Sequence, residues 1–328
     1  MVEKFLIKLI YKFFKFKNKL FISSYPSTSS RLRSSGFVKT SPDRSSFDGQ
    51  AGRTGMVNYF SGTEIETNNN LAELSITVVI TSYNNIKYCK KNLESVLGQN
   101  YSNFNVIYID DCSNDGTSEV VQKFLEDYDL QKKVKYILND TRKKKVENLY
   151  SVINSLADDR IILELDGDDY LNGSQVLSLF NNYYQRTDFW VVYGNYKNYP
   201  EDLAEKFEIE KFFQPVPKFI LRLNKIRLYP WVFSGLRSYY AGLFKKIKKE
   251  SISSTALGEF FPLCGDAAIF YPILEMAQNK VASIDEIVLL RNIDSPINDF
   301  KSYDKKFRKM VWNEICNKTK YSKIEKLF

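Results

Sequence analysis

The sequence predicts an α/β fold with a largely parallel central sheet flanked by helices. Two observations support this. Five apolar runs, each long enough for one buried strand, recur about every 28 residues after position 71. Each of the four gaps between them carries apolar residues at helical spacing. Because strands that alternate with helices usually pair in parallel and bury both faces of the sheet, we expect one helix-covered sheet.

The predicted elements alternate along the chain from Ile76 to Gly194. The strands are the runs ITVVIT (76–81), FNVIYI (104–109), KVKYIL (133–138), RIILEL (160–165) and FWVVYG (189–194). The helices are KYCKKNLESVLGQ, TSEVVQKFLEDY, KVENLYSVINSLA and SQVLSLFNNYYQR. No G-x-G-x-x-G segment follows the first strand, and the chain has no Gly-Lys-Ser/Thr phosphate loop. Neither a nicotinamide or flavin site nor a P-loop is therefore expected.

The chain before residue 71 divides into two segments. Residues 1–22 are predicted to form a basic amphipathic helix, since five lysines recur at three- or four-residue spacing among apolar side chains: Lys4, Lys8, Lys12, Lys15 and Lys19. We expect residues 1–20 to lie on an anionic membrane surface; packing on the protein's own core is the alternative. The serine-rich residues 23–70 are expected to form a flexible linker. The expected location is cytoplasmic, with peripheral contact to the cytoplasmic face of a membrane.

Composition excludes several kinds of site. The chain contains no histidine, which excludes Ser-His-Asp and Cys-His catalysis and His-ligated metals. Its four cysteines are scattered without a C-x-x-C pair, which argues against a zinc site or a disulfide framework. Most of the net charge of +8 comes from the first 20 residues, which hold six Lys and one Glu. Because the rest of the chain is nearly neutral, no nucleic-acid partner is expected.

Polar side chains follow four of the predicted strands. The segments are TSYNN (81–85), DDCSNDGT (110–117), NDTR (139–142) and DGDD (166–169). Ligands of open α/β sheets bind outside the carboxyl ends of the strands. We therefore expect these four clusters to meet in one cleft.

The DGDD segment raises an electrostatic question. Asp166, Asp168 and Asp169 follow a strand of apolar residues, and closely packed carboxylates raise one another's pKa unless a cation or hydrogen-bond donors neutralise them. A divalent cation held by Asp166 or Asp168, together with a phosphate ligand, would do so. A solvated loop is the plain alternative. The run DCSNDG from Asp111 also resembles the start of a calcium-binding EF-hand loop, although its twelfth position is Gln122 rather than Glu.

These segments resemble the family 2 glycosyltransferases of the GT-A fold. VVITSYNN is similar to the family's first strand, IYIDDCSNDGT to its D-D-x-S-x-D-G-T segment and LELDGDDYL to its D-x-D motif. The resemblance covers about residues 75–195. A looser similarity of LRSYYAGLFKKI, CGDAAIFYPILEMA and SPINDFK to the acceptor half of a subgroup extends it to about residue 301. It implies a GT-A domain over residues 71–301, followed by a basic helical tail over 302–328.

The resemblance also implies roles for the polar residues. Tyr83 would stack on the nucleotide base, Asp110 would accept a hydrogen bond from it, and Asp166 would approach the ribose. Asp168, with Asp166, would bind Mn²⁺ or Mg²⁺, which would stabilise the departing nucleoside diphosphate. The full set expected to bind the nucleotide is Ser82, Tyr83, Asn84, Asp110, Asp111, Asn139, Arg142 and Asp166. The segment RKKKVEN departs from the smaller residues expected in the family, which leaves open what Arg142 and Lys145 do near the diphosphate.

An inverting transfer also needs a base for the acceptor hydroxyl. The family places an Asp at the start of a helix beyond the sheet, and the resemblance assigns this position to Asp266; helix capping is the alternative. Glu259 and Asp169 are the next candidates. In a chain without histidine, loss of activity on the acid side near neutrality would require a base whose pKa is raised. Residues expected to contact the acceptor or the phosphates are Asp169, Arg237 and Glu259, with Arg237 on a helix formed by GLRSYYAGLFKKIKK.

The expected function is metal-dependent, inverting transfer of a sugar from a nucleotide-diphosphate sugar to an acceptor hydroxyl. The donor is expected to be a UDP-sugar by analogy alone, and the acceptor a glycan, a lipid or a protein. A catalytically silent protein that binds nucleotide or glycan is the alternative from another class. A nucleotidyltransferase on a related sheet would need a Gly-rich phosphate segment that the first strand lacks.

Overall fold

An eight-stranded mixed sheet forms the core of the part of the chain that the structure describes. In this computed structural model the described residues are 72–186, 188–206, 213–297 and 303–328. The strands are β1 (Ile76–Ser82), β2 (Phe104–Asp110), β3 (Val134–Leu138), β4 (Ile161–Asp166), β5 (Tyr170–Leu171), β6 (Val191–Tyr199), β7 (Arg237–Tyr240) and β8 (Val281–Asn292). Their order across the sheet is β3-β2-β1-β4-β7-β6-β8-β5. The predicted helix 1–22 and linker 23–70 lie outside the described residues.

The first half of the sheet, β3-β2-β1-β4, is parallel as predicted. Strands β1, β2 and β4 are buried on both faces along nearly their whole length, which explains why their sequences read as unbroken apolar runs. Ser82 is level with Asp110 and Thr81 is level with Asp166 in the strand pairing. The polar residues that follow these strands therefore lie side by side at the carboxyl ends of the parallel strands.

Helices cover the sheet where the sequence predicts them. The first four are α1 (Cys89–Leu97), α2 (Thr117–Asp127), α3 (Lys144–Ile153) and α4 (Val176–Arg186). Each buries one face and leaves the other less buried, as their apolar periodicity predicts. The later helices are α5 (Glu201–Lys206), α6 (Lys218–Arg222), α7 (Ala241–Phe244), α8 (Gly265–Ala277) and α9 (Lys305–Asn317). Among the described residues, no helix is both long and apolar enough to cross a membrane.

The expected helix around Arg237 is wrong, because Arg237 begins a strand. Strand β7 pairs antiparallel with β4 on one side and with β6 on the other. Helix α7, after β7, is only four residues long. The reason is tertiary: without β7, the buried strand β4 would leave the backbone groups of one edge unpaired. The second half of the sheet is therefore mixed, with only β6 and β8 parallel in it.

Helix α8 is buried on almost every side. All of its residues are buried except Asp266, which lies in the first turn. A helix that is apolar all round belongs in a protein core, and its position is fixed by the packing around it. This core helix therefore presents one carboxylate, Asp266, at its amino-terminal end.

A buried ion pair ties the carboxyl-terminal segment to α8. The guanidinium of Arg227 donates to both carboxylate oxygens of Glu275, at 2.6 and 2.8 Å. The same guanidinium donates to the carbonyls of Ile315 and Lys318, and the backbone N–H of Tyr321 donates to Glu275. Both side chains are at most 2% exposed. The pair thus connects α8 with residues at and beyond the end of α9.

We expect Glu275→Gln to lower the free energy of unfolding by about 3–5 kcal/mol, because it leaves the Arg227 charge buried without a counter-charge. Urea denaturation measures the change. The matched control is Glu325→Gln, which makes the same substitution in a surface pair whose Glu side chain is 84% exposed, and it should change stability by less than about 0.5 kcal/mol. Equal effects of the two substitutions would contradict this account of how the tail is held.

Candidate active site

A cavity of about 660 Å³ opens at the carboxyl ends of the central strands. Nine of the residues proposed from the sequence line it: Ser82, Tyr83, Asp111, Arg142, Asp166, Asp168, Asp169, Arg237 and Asp266. They come from the ends of β1, β2 and β4, from the segment before α3, from β7 and from the start of α8. The structure thus brings together groups that are up to about 180 residues apart in the sequence.

Tyr83 and Arg142 form one wall of the cavity. The guanidinium carbon of Arg142 lies 3.6 Å from the centre of the Tyr83 ring, a cation–π contact. Ser82 lies beneath them, with its hydroxyl accepting hydrogen bonds from Tyr108 and Asn85. Asn84 does not line the cavity; its side-chain oxygen accepts from the backbone N–H of Asn114. Asn84 thus links the loops after β1 and β2.

Asp110, expected to bind the base, is fully buried and does not line the cavity. Its carboxylate accepts from the backbone N–H of Ser113 and from the Tyr136 hydroxyl, so its hydrogen bonds hold the loop after β2. The next residue, Asp111, does reach the cavity, although its carboxylate also accepts from the backbone N–H groups of Lys143 and Lys144.

Asn139 and Glu259 lie outside the cavity. The buried side-chain amide of Asn139 donates to Asp111 and Asn148, which supports the segment that leads into α3. Glu259 is exposed in the loop between α7 and α8. Their expected contacts with nucleotide, acceptor or phosphate therefore receive no support from their positions.

The DGDD segment turns tightly at the end of β4. A Cβ atom on Gly167 would lie 2.6 Å from the side chain of Ser82, so only glycine fits this close approach. The carboxylate of Asp169 accepts from the backbone N–H of Asn292. Burial, followed by the negative charge of Asp166, raises the pKa of Asp168 to about 6. Burial and the charges of Asp168 and Asp166 raise the pKa of Asp169 well above its usual value. Both carboxyls thus resist ionisation without a nearby cation.

Two cations and three carboxylates form a network beside the DGDD segment. The Lys145 ammonium lies 2.6 Å from Asp166 Oδ1, 2.7 Å from Asp266 Oδ1 and 3.8 Å from Glu164 Oε2. The Arg237 guanidinium lies 2.9 Å from Asp266 Oδ1 and 3.4 Å from Glu164 Oε2. From the sequence, Lys145 was expected near the diphosphate with its role open, and Glu164 was not among the expected site residues. The signal for Glu164 was a charged residue inside the otherwise apolar run IILEL.

Arg237 makes its hydrogen bonds within the protein. Its side chain is only 6% exposed, and it also donates to the carbonyls of Phe233 and Gly235. The Tyr239 hydroxyl donates to the other oxygen of Glu164 at 2.6 Å. The geometry therefore favours a role for Arg237 in holding Asp266 over the expected contact with acceptor or phosphate.

The same cations set the ionisation of Asp266. Burial would raise the pKa of its carboxyl, but Arg237 and Lys145 outweigh burial and lower the pKa to about 2. Asp266 is consequently ionised at any ordinary pH. The raised pKa that an acid limb near neutrality would require of this base is absent, and the carboxyls lining the cavity whose pKa is raised are Asp168 and Asp169.

The carboxylate oxygens of the site suit a divalent cation whose remaining ligands come from a bound substrate. No group of three or more Asp, Glu, Cys or His side chains within the described residues is arranged to hold a metal ion alone. Mg²⁺ and Mn²⁺ prefer oxygen ligands, and Mg²⁺ sites often combine one or two carboxylates with substrate phosphates. Asp166 and Asp168, next to a cavity lined by Arg142, Lys144 and Lys145, offer such an incomplete set.

An aromatic wall faces this charged edge. Trp231 and Trp312 line the cavity, with ring centres 6.3 Å apart and planes at 89°. Trp231 also packs edge-on against Tyr271 of α8. Since Trp312 belongs to α9, the tail contributes directly to the cavity. The sequence contained no periodic signal for this pairing of residues from distant segments.

Comparison with known proteins agrees with the geometry. The sequence model of Glycosyl transferase family 2 matches residues 77–248. Glycosyltransferase GlyG of Streptococcus pneumoniae serotype 4 is 31% identical over 126 residues, which are 38% of this chain and 40% of GlyG. Poly(ribitol-phosphate) beta-N-acetylglucosaminyltransferase TarS of Staphylococcus aureus is 31% identical over 101 residues, which are 30% of this chain and 17% of TarS. The matches thus span less than half of these relatives.

A solved structure shares the fold. The crystal structure of S. aureus TarS 1–349 in complex with UDP-GlcNAc superposes with a TM-score of 0.53 at 18% identity, covering 74% of this chain and 67% of that one. Together with the family match, this likeness confirms the predicted GT-A type of fold.

The raised pKa of Asp168 makes a prediction about stability in metal-free buffer. Folding favours the protonated carboxyl, so the stability from this group is fully present below its usual pKa of 3.8 and is lost as the pH rises through about 6. Asp168→Asn mimics the protonated form. We expect it to raise the free energy of unfolding at about pH 7.5 by about 1–3 kcal/mol and to reduce the pH dependence of that free energy.

Urea denaturation at a series of pH values tests this expectation. Asp127→Asn, at the exposed end of α2, is the matched control and should leave the pH dependence unchanged. A variant at position 168 that is no more stable than the wild type at neutral pH would show that the carboxylate is not under electrostatic strain.

Proposed function

The chain belongs to glycosyl transferase family 2, and we propose that it moves a sugar from a nucleotide-diphosphate sugar to an acceptor hydroxyl. One observation carries the proposal. A single cavity holds two carboxyls whose pKa values are displaced in opposite directions, Asp168 to about 6 and Asp266 to about 2. Two titratable groups whose surroundings push their pKa values apart often have different roles in one reaction. Here Asp168 would hold the donor's metal ion and Asp266 would take the acceptor's proton.

The nucleotide of the donor is proposed to lie at the ends of β1 and β2. Tyr83 and Arg142 offer an aromatic ring and a planar guanidinium against which a base can stack. Ser82 and Asp111 line the same wall. A UDP-sugar is the proposed donor by analogy, since TarS, which shares the fold, is solved with UDP-GlcNAc.

Asp166 and Asp168 are proposed to hold Mn²⁺ or Mg²⁺ together with the donor's phosphates. When bound, the ion supplies positive charge that stabilises the departing nucleoside diphosphate. Asp169 lines the same cavity with its carboxyl held by the Asn292 backbone, and its proposed part is to keep the turn in place.

Asp266 is proposed to accept the proton of the acceptor hydroxyl as its oxygen attacks the sugar in an inverting single displacement. The side chain is one-third exposed and faces the cavity from the end of a buried helix. Lys145 and Arg237 keep it ionised and therefore ready to accept a proton. They also weaken its basicity, so we expect proton transfer to accompany formation of the new bond. The acceptor, which can be a glycan, a lipid or a protein, would approach along the wall formed by Trp231 and Trp312.

A protein that binds the nucleotide sugar without transferring it is the second candidate. The observation that favours it is the contact of Lys145 with Asp166, because a ligand oxygen already paired with an ammonium is less available to a metal. Both candidates predict binding of the nucleotide sugar, but only the transferase predicts its turnover.

A panel of UDP- and GDP-sugars, each incubated with purified protein and Mn²⁺, tests the proposed function by release of nucleoside diphosphate. We expect release from at least one donor by the wild type and almost none by Asp168→Asn, which loses a charged ligand. Binding of a donor, seen by calorimetry, without release of product from any donor or acceptor would identify the silent binder. Unimpaired turnover by the Asn variant would rule out the assigned metal ligand.

Asp266→Asn tests the base. We expect transfer to fall roughly 10²- to 10⁴-fold, the usual contribution of a positioned base, while the affinity for the donor changes little because donor contacts come from the strand ends. At limiting Mn²⁺, wild-type activity should also fall as the pH drops, because a proton on Asp168, whose pKa is raised in the metal-free protein, competes with the metal ion. The residual activity of the variant should keep this acid limb.

Asp285→Asn, on an exposed part of β8, is the matched control and should transfer at the wild-type rate. The assignment of Asp266 fails if its Asn variant retains more than about a tenth of wild-type transfer, well above the range expected for loss of a base. Loss of the acid limb in that variant would instead show that Asp266 itself titrates near neutrality.

A further inference from the structure

We propose that Lys145 is a built-in cation that occupies the donor-site carboxylate Asp166 until a nucleoside diphosphate binds, so that the free protein binds divalent metal weakly and binds it well only together with the nucleotide. This inference rests on the proposed function and assigns a positioning part to Lys145.

The contacts of Lys145 are those of a bound cation. Its ammonium contacts carboxylates of β4 and of α8 at 2.6 and 2.7 Å, and Glu164 lies 3.8 Å away. The side chain is 20% exposed, and it lines the cavity. An ammonium group carries three donors, enough to bridge these two elements. Lys145 is thus already paired with one of the oxygens proposed to bind the metal.

The backbone is built for this bridge. Lys145 lies in the first turn of α3, and Asp266 lies in the first turn of α8. A Cβ atom on Gly265 would lie 2.8 Å from a side-chain methyl of Val146 and 3.8 Å from the Cβ of Lys145. A glycine at this position therefore allows the two helix starts to approach closely. The contact of Lys145 with Asp266 results from this packing of α8 against α3.

A metal ion and this ammonium compete for the same oxygen. Asp166 Oδ1 is already at hydrogen-bond distance from the ammonium, and two positive charges at such short range repel one another strongly in a partly buried site. The ammonium lies against the carboxylates of Asp166 and Asp266, so entry of the ion at Asp166 requires it to move.

A diphosphate offers the displaced ammonium a new partner. The side chain of Lys is a point charge on a flexible stem and can follow a phosphate within its reach. The backbone N–H groups of Lys143 and Lys144 cannot take the anion's charge, since the Asp111 carboxylate already occupies both. The metal carries positive charge and the diphosphate negative charge, so binding of either one favours binding of the other. Such coupling must be reciprocal: the metal tightens nucleotide binding by the same factor.

Mn²⁺ binding measured by electron paramagnetic resonance, with and without saturating UDP or GDP, tests the proposal. Lys145→Met removes the charge and keeps most of the side-chain volume. We expect it to tighten Mn²⁺ binding to the nucleotide-free protein at least about tenfold and to reduce the factor by which the nucleotide improves that binding. Lys145→Arg keeps the charge and should bind Mn²⁺ as weakly as the wild type. Lys143→Met, the same change outside the cavity lining, should behave like the wild type.

The outcomes separate the inference from the proposed function. Wild-type protein that binds Mn²⁺ with UDP or GDP, beside a folded Lys145→Met variant whose nucleotide-free affinity is unchanged, overturns the inference and leaves the function standing. Wild-type protein that binds no Mn²⁺ with either nucleotide overturns both. Thermal unfolding checks that the Met variant is folded, and Lys145→Gln, which also lacks the charge, replaces it if it is not.

Discussion

An excess of negative charge at one edge of the sheet is the constraint on which the rest of the site depends. Five carboxylates gather around the end of β4 and the start of α8, and Asp111 lines the same cavity. The five are Glu164, Asp166, Asp168, Asp169 and Asp266. Lys145 and Arg237 neutralise the part of the cluster that they contact, and they lower the pKa of Asp266. The remaining carboxyls, Asp168 and Asp169, have raised pKa values instead. At Asp168 and Asp169 the folded chain thus favours either protonation or the approach of a further cation.

The fold maintains this arrangement through contacts within the DGDD turn and with strand β7. Gly167 brings the DGDD turn against Ser82, and the backbone N–H of Asn292 holds Asp169 behind it. Glu164 is held by the Tyr239 hydroxyl and by Arg237, both on β7. Strand β7 therefore does more than complete the sheet. It supplies the donor groups that make a buried glutamate tolerable in the middle of β4.

The sequence was sufficient for one half of this structure and not for the other. Strands β1 to β4, the helices between them and the convergence of their polar ends follow from apolar periodicity and from the geometry of parallel sheets. Arg237 was misplaced on a helix because a short run such as RSYYAGLF carries no clear period, and the unpaired edge of β4 decided its conformation. Asp110 and Asp111 are adjacent and chemically alike, so only the structure distinguishes the buried one from the one in the cavity. The part of Lys145 depends on the approach of α8 to α3, a contact between segments more than 100 residues apart.

The two walls of the cavity differ in how they are supported. The wall proposed to hold the donor, with Ser82, Tyr83, Asp111 and Arg142, is built at the strand ends of one sheet, within the residues that match the family, 77–248. Asp266 and Trp312 lie beyond that match, on α8 and α9. These two helices are joined through the buried pair of Arg227 and Glu275, whose hydrogen bonds extend to the backbone of the tail. The proposed base and the aromatic wall therefore share a support that the donor wall does not use, and acceptor contacts can vary through the tail without any change in the residues proposed to hold nucleotide and metal.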